Sequence, residues 1–134
     1  MEQHAAGRRL STGDAHLDAG HRALQAAIVY TSATRDDNLA LAFGELLDTI
    51  ERQFRHEEDL METIDLPSLH CHREQHMRVL GALRLAEAGI EAQPWLARHA
   101  IDLLADWFEL HAQTQDTVLA LALAMAETPS GKSS

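Results

Sequence analysis

Leu39, Phe43, Leu46, Ile50, Gln53, Glu57, Leu60 and Ile64 follow one another in alternating steps of four and three residues. About seven turns of unbroken alternation commit this stretch to an α-helix with one buried face. Gln53 and Glu57 belong to that face, one turn apart, where the rest of the stripe is leucine, isoleucine or phenylalanine. A carboxylate placed among leucines must find a partner, because a buried unpaired charge is strongly destabilising. The search for that partner organises the rest of the chain.

Three other stretches carry the same period and the same interruption. A first helix is expected to start near Asp14 or His16, with Asp14 as N-cap, and to bury Leu17, His21, Leu24 and Ile28. It should end at the polar run Thr34 to Asn38, where Asp36 or Asp37 can cap the second helix, which runs to about Ile64. Asp65 to Ser68 reads as a turn, with Pro67 or Ser68 at the entry to the third helix. One face of that helix holds Leu69, His72, His76, Val79, Leu83, Ala86 and Ile90. Gly89 to Pro94 separates it from a fourth helix that reaches Ala126 and opens with the stripe Leu96, Ala100, Leu103, Trp107, His111. Asp116 follows His111 by five residues, roughly 140° away on a regular α-helix. A slip of the π-bulge kind would return it to the His111 face, and Leu119 and Leu123 continue the stripe in the slipped register.

The predicted class is all-α, an up-down-up-down four-helix bundle over 14–127, with a polar arm over 1–13 and a short tail over 128–134. In that topology the start of the first helix, the end of the second, the start of the third and the end of the fourth share one end of the bundle. His21, Gln53, Glu57, His72, His76, His111 and Asp116 all fall there.

At 134 residues the chain is long enough for one buried core. Its net charge of -10 argues against nucleic acid and against an anionic membrane surface as partners. No apolar run reaches membrane-spanning length, and Met1-Glu2-Gln3-His4 has no signal-peptide character. The single cysteine, Cys71, excludes an intrachain disulfide and suits a cytoplasmic location. It is expected to be a buried or half-buried small residue.

The seven converging residues read as metal ligands. Imidazoles together with carboxylates suit iron, manganese or zinc rather than magnesium or calcium. His72 and His76, one turn apart on one face, can hold one ion together, and two carboxylates from different helices can bridge two. The competing reading is a hydrogen-bonded polar layer without metal, which would need a satisfied network across four helices. His4, His16, His70 and His99 are expected at the surface, and His56 as well, since it lies roughly 100° from Glu57 around the helix. Phe54 and Trp107 are expected in the core, with pocket lining as a second role.

These motifs resemble hemerythrin in its single-domain bacterial form. That family has a histidine on the first helix, an HFxxEE-type pattern on the second, HxxxH on the third and HxxxxD on the fourth. Here they are matched by His21, by Gln53-Phe54-Arg55-His56-Glu57-Glu58, by His72 and His76, and by His111 and Asp116. The resemblance implies a non-haem di-iron centre that binds dioxygen reversibly. It places His72, His76 and His111 on one iron, with Glu57, Asp116 and a solvent-derived oxygen bridging to the second. The second iron would take His21 and the residue at position 53, and would keep an open position for dioxygen.

Position 53 departs from the family, since glutamine replaces the second-helix histidine. Three outcomes are open, in this order. The Gln53 carbonyl oxygen ligates; Gln53 stands off and hydrogen-bonds a water; or His56 takes over. Gly20 is a second departure, in place of the usual polar residue before the first histidine. The altered ligand set admits two other functions, a di-iron enzyme of peroxide or nitric oxide chemistry and a bundle holding a single metal.

Overall fold

The structure, a computed structural model, describes residues 15–127, apart from the side chains of His16, Gln115, Asp116 and Glu127. The expected arm, the Asp14 cap and the C-terminal tail lie outside the described residues. The elements are α1 (Ala15–Ala33), α2 (Asp36–Thr63), α3 (Leu69–Ala88), α4 (Pro94–His111), a π-turn (Ala112–Asp116) and α5 (Thr117–Glu127). The last three run on from one another as a single fourth helix. Consecutive helices pack together, and α1 also packs against α4, which closes the ring of a four-helix bundle.

The apolar stripes of the first three helices are buried as their spacing demands. Leu17, His21, Leu24 and Ile28 are buried on α1, and the same face continues to Thr31, whose hydroxyl donates to the Ala27 carbonyl. On α2, Leu39, Phe43, Leu46, Ile50, Gln53 and Glu57 are buried, while Leu60 and Ile64 are half-buried. His72, His76, Leu83 and Ala86 are buried on α3.

Neither expected aspartate caps α2. Arg35 occupies the N-cap and makes no side-chain cap bond, so Asp36 and Asp37 fall within the first turn. A negative charge there still favours the positive end of the helix. Asp36 is taken instead by Arg98 of α4, whose guanidinium donates to the Asp36 carboxylate and to the carbonyls of Ser32 and Thr34. This clamp ties the α1–α2 connection to α4. Ser68 is the N-cap of α3, again with no side-chain cap bond, and Pro94 opens α4 at its first turn.

The fourth helix requires a correction. Its core face is Ala97, Ile101, Leu104, Phe108 and His111, not the stripe beginning at Leu96. Leu103 is 56% exposed. Leu103 and Trp107 instead line a groove of about 370 Å3 between α3 and α4, beside Val79 and Leu83. Both stripes run in steps of four and three, and both lead to His111, so this helix is apolar on two adjacent faces and periodicity alone does not choose between them.

The π-turn lies where the His111–Asp116 spacing asks for it. Eight residues separate His111 from Leu119, which a regular α-helix would set roughly 80° apart. Absorbing one residue in the wider turn brings them to within roughly 20°. Leu119 is accordingly 0% exposed. The Thr117 hydroxyl donates to the Ala112 carbonyl, five residues back, at 3.1 Å.

Two apolar clusters result among the described residues. The larger holds Leu24, Phe43, Leu46, Ile50, Leu83, Ile101, Leu104 and Phe108 among others. A smaller one joins Leu17, Met61, Leu119 and Ala120, with Leu60, Ile64 and Leu69 against it. Between them lies a layer of buried polar side chains.

Candidate metal centre

Glu57 is at the middle of that layer, 1% exposed, and its two oxygens face different neighbours. Oε1 is 3.2 Å from His72 Nε2, 3.3 Å from His76 Nε2 and 3.7 Å from His111 Nε2. Oε2 is 3.6 Å from His21 Nε2 and accepts a 3.3 Å hydrogen bond from the Gln53 carboxamide NH2. One side chain therefore divides the layer into a three-histidine side and a side made by His21 and Gln53. The convergence also fixes the topology, since residues early in α1 and α3 meet residues late in α2 and α4 only if the helices alternate in direction.

Six of the seven expected site residues are thus brought together: His21, Gln53, Glu57, His72, His76 and His111. The seventh, Asp116, closes the π-turn, and its side chain lies outside the described residues. His56, expected at the surface, is half-buried instead, and it lies outside the group formed by Glu57, His72, His76 and His111. His70 and His99 are exposed, as expected, while His4 and His16 lie outside the described side chains. Cys71 is exposed, which corrects the expectation of burial; it precedes His72 by one residue and so points off the core face of α3.

Three aromatic rings hold the imidazoles. Phe54 stacks on His76 with ring centroids 3.7 Å apart. Trp107 stacks on His111 at 4.3 Å. Phe108 presents an edge-to-face contact to His21 at 5.5 Å. Phe54 and Trp107, expected in the core, thus pack on the imidazoles, whereas Phe108 was hidden by the misplaced α4 stripe.

Glu58 is the functional residue that sequence reasoning passed over. His76 Nδ1 donates to Glu58 Oε2 at 2.7 Å, and Glu58 is also 3.4 Å from Arg73 Nε. With its proton on Nδ1, a neutral His76 directs the Nε2 lone pair at the centre. The signal was present in the pair Glu57-Glu58, but only the approach of α3 shows which ring the second carboxylate serves.

Electrostatics reinforce the picture. Burial opposes ionisation of Glu57, but hydrogen bonds from His111, His21, His72 and His76 outweigh it and hold the carboxyl well below its ordinary 4.5. Burial likewise opposes protonation of His76, yet Glu57 and Glu58 raise its pKa above the ordinary 6.5. The layer is built for positive charge.

A metal ion fits this geometry. Glu57, His72, His76 and His111 each offer a ligand atom, all within 4.8 Å of one another and all buried. Donors about 2.1 Å from a shared ion lie about 3.0–3.4 Å from each other, the spacing of Glu57 Oε1 to His72 and His76 Nε2 and of His76 Nε2 to His111 Nε2, which are 3.3 Å apart, while His111 is somewhat farther from Oε1. Imidazole nitrogen and carboxylate oxygen are the donors that iron, manganese and zinc accept.

Comparison with known proteins agrees with the motifs. The chain is 29% identical over 116 residues to bacteriohemerythrin of Ralstonia nicotianae, an alignment covering 86% of this chain and 85% of the relative. The chain resembles a bacterial hemerythrin. No protein-family model matches it, and no solved structure matches it. The hemerythrin likeness therefore rests on that relative, on the four-helix bundle and on the buried His/Glu cluster. Among the described residues, no helix is long and apolar enough to cross a membrane.

Proposed function

We propose that this chain is a hemerythrin-like non-haem di-iron protein that binds dioxygen reversibly, acting as a carrier, store or sensor in the cytoplasm. The observation that carries the reading is the division of Glu57, one oxygen toward His72, His76 and His111 and the other toward His21. A carboxylate so placed suits a bridge between two ions. His72, His76 and His111 would hold one iron, His21 would serve the second, and Glu57 and Asp116 would span both. The iron pair would supply the electrons and the open position for dioxygen.

The protein's own side chains do the rest. Glu58 fixes the His76 tautomer. Phe54, Trp107 and Phe108 hold three imidazoles in place and exclude water from them. The apolar clusters on either side of the layer limit access of protons, which favours release of the gas over its reduction.

One observation favours a second reading. Glu57, His72, His76 and His111 alone make a compact donor set sufficient for a single ion. Elemental analysis separates the two. Two irons per chain are expected, with a visible charge-transfer band that appears when the reduced protein meets dioxygen and disappears on deoxygenation. One metal per chain would replace the di-iron reading with the single-ion one. Two irons with irreversible oxidation in place of the band would favour an enzyme of peroxide or nitric oxide chemistry.

A further inference from the structure

Gly20 and Gln53, both departures from the family pattern, lie against each other. A Cβ added to Gly20 would stand 2.6 Å from Gln53 Cδ and 2.7 Å from its Nε2, and closer still to Oε1. Those distances are shorter than any real Cβ contact, so the carboxamide fills the space that a side chain at position 20 would need. Gly20 is within α1, where glycine costs about 1 kcal/mol relative to alanine, so its presence calls for a local reason.

The orientation of the carboxamide follows from its partner. Glu57 Oε2 is a hydrogen-bond acceptor, so the Gln53 atom facing it at 3.3 Å is the NH2 donor. The oxygen, the atom of a neutral carboxamide that can bind a cation, is the one nearest the Gly20 position. Gln53 is nearly buried, at 9% exposure, and lies one turn before Glu57 on the same face of α2.

We propose that Gly20 and Gln53 act as one unit: Gly20 provides the seat for the Gln53 carboxamide, and the seated carboxamide orients Glu57 by donating to it instead of joining the metal's donor set. Gln53 is then a positioning residue, acting through Glu57 Oε2. On the His21 side, α2 contributes Glu57 and no second ligand, leaving room for water or a small anion. The last two statements rest on the metal reading proposed above; the seat does not.

Two measurements on the full chain decide it. The first is a thermal double-mutant cycle on metal-free protein, combining Gly20→Ala with Gln53→Ala. Alanine at position 20 should raise the midpoint by about 4 °C in the Gln53→Ala chain, from helix propensity alone. In the parent it should raise it by less or lower it, because the carboxamide loses its seat. Equal shifts in both backgrounds would overturn the seat. The second is side-chain NMR of Gln53, its resonances assigned by their loss in Gln53→Ala, before and after adding two equivalents of zinc(II). The seated donor predicts a carboxamide carbon that keeps its shift on zinc loading, and an altered NH2 pair in Gly20→Ala. A downfield move of the carboxamide carbon on loading, the mark of oxygen coordination, would overturn the positioning role. If zinc does not bind, the metal reading fails, while the thermal cycle still decides the seat.

Discussion

Phe54 lies flat on His76, with ring centroids 3.7 Å apart and planes 3° from parallel. One face of the imidazole is thereby closed, while its Nδ1 is held by Glu58 and its Nε2 points at Glu57 and His111. Phe54→Ala should destabilise the protein by about 3–4 kcal/mol, since it empties a buried aromatic site at the junction of core and centre. Urea denaturation of the metal-free chain measures this loss. Metal release to a chelator should also quicken, because His76 gains freedom to turn.

Removing the Glu58 carboxylate should leave the fold intact and weaken the metal. Glu58 is on the rim of the layer, where it accepts from Arg73 and, of the imidazoles, from His76. Glu58→Gln is expected to lower affinity about 10–100-fold, as losses of a carboxylate behind a ligating histidine do. Competition against a chromophoric chelator gives the number, and circular dichroism checks the fold.

The metal-free protein should have an unusual stability profile. Glu57 titrates well below 4.5 in the folded state, so its contribution is present above that value and is lost only in stronger acid. His76 titrates above 6.5, so its contribution is complete below 6.5 and is lost as pH rises through its folded value. Both contributions coincide between about pH 5 and 6. The thermal midpoint of the metal-free chain should therefore fall from pH 6 to pH 8. Metal binding should run the other way and strengthen with pH, since His76 must shed its proton to ligate. Calorimetry in buffers of different ionisation enthalpy would count that proton.

Arg98 offers a control at the far end of the bundle. It binds Asp36 and the carbonyls of Ser32 and Thr34, away from the histidines. Arg98→Ala should cost about 1–2 kcal/mol, because the partners are partly solvated. Metal stoichiometry and oxygen binding should not change. An effect on either would show that the two ends are coupled.

Much of the centre was legible because one physical rule places it. A polar residue at a core position in a helix of known phase has a predictable direction, and four such helices with short connections have one way to alternate. His21, Glu57, His72, His76 and His111 followed from that rule, and so did the π-turn that ends at Asp116. The α4 face did not follow, because Trp107 reaches His111 in a step of four and Phe108 in a step of three. The choice between them depends on what α3 and α1 present. Glu58 and the Gly20–Gln53 contact were invisible for a related reason. Each is a meeting between two helices, and periodicity describes helices one at a time.

The histidine layer has a consequence for how the molecule breathes. It cuts the apolar interior of the described residues into unequal compartments, and the smaller, around Leu17, Met61, Leu119 and Ala120, has the fewer buried contacts and should open first. Metal bound in this layer, its ligands drawn between them from all four helices, would act as a rivet across that cut. Amide hydrogen exchange around Leu119 and Leu17 would then slow sharply on loading, while exchange around Phe43 and Ile101 would hardly change. The outer turns of the bundle become a gauge of occupancy that can be read without looking at the metal.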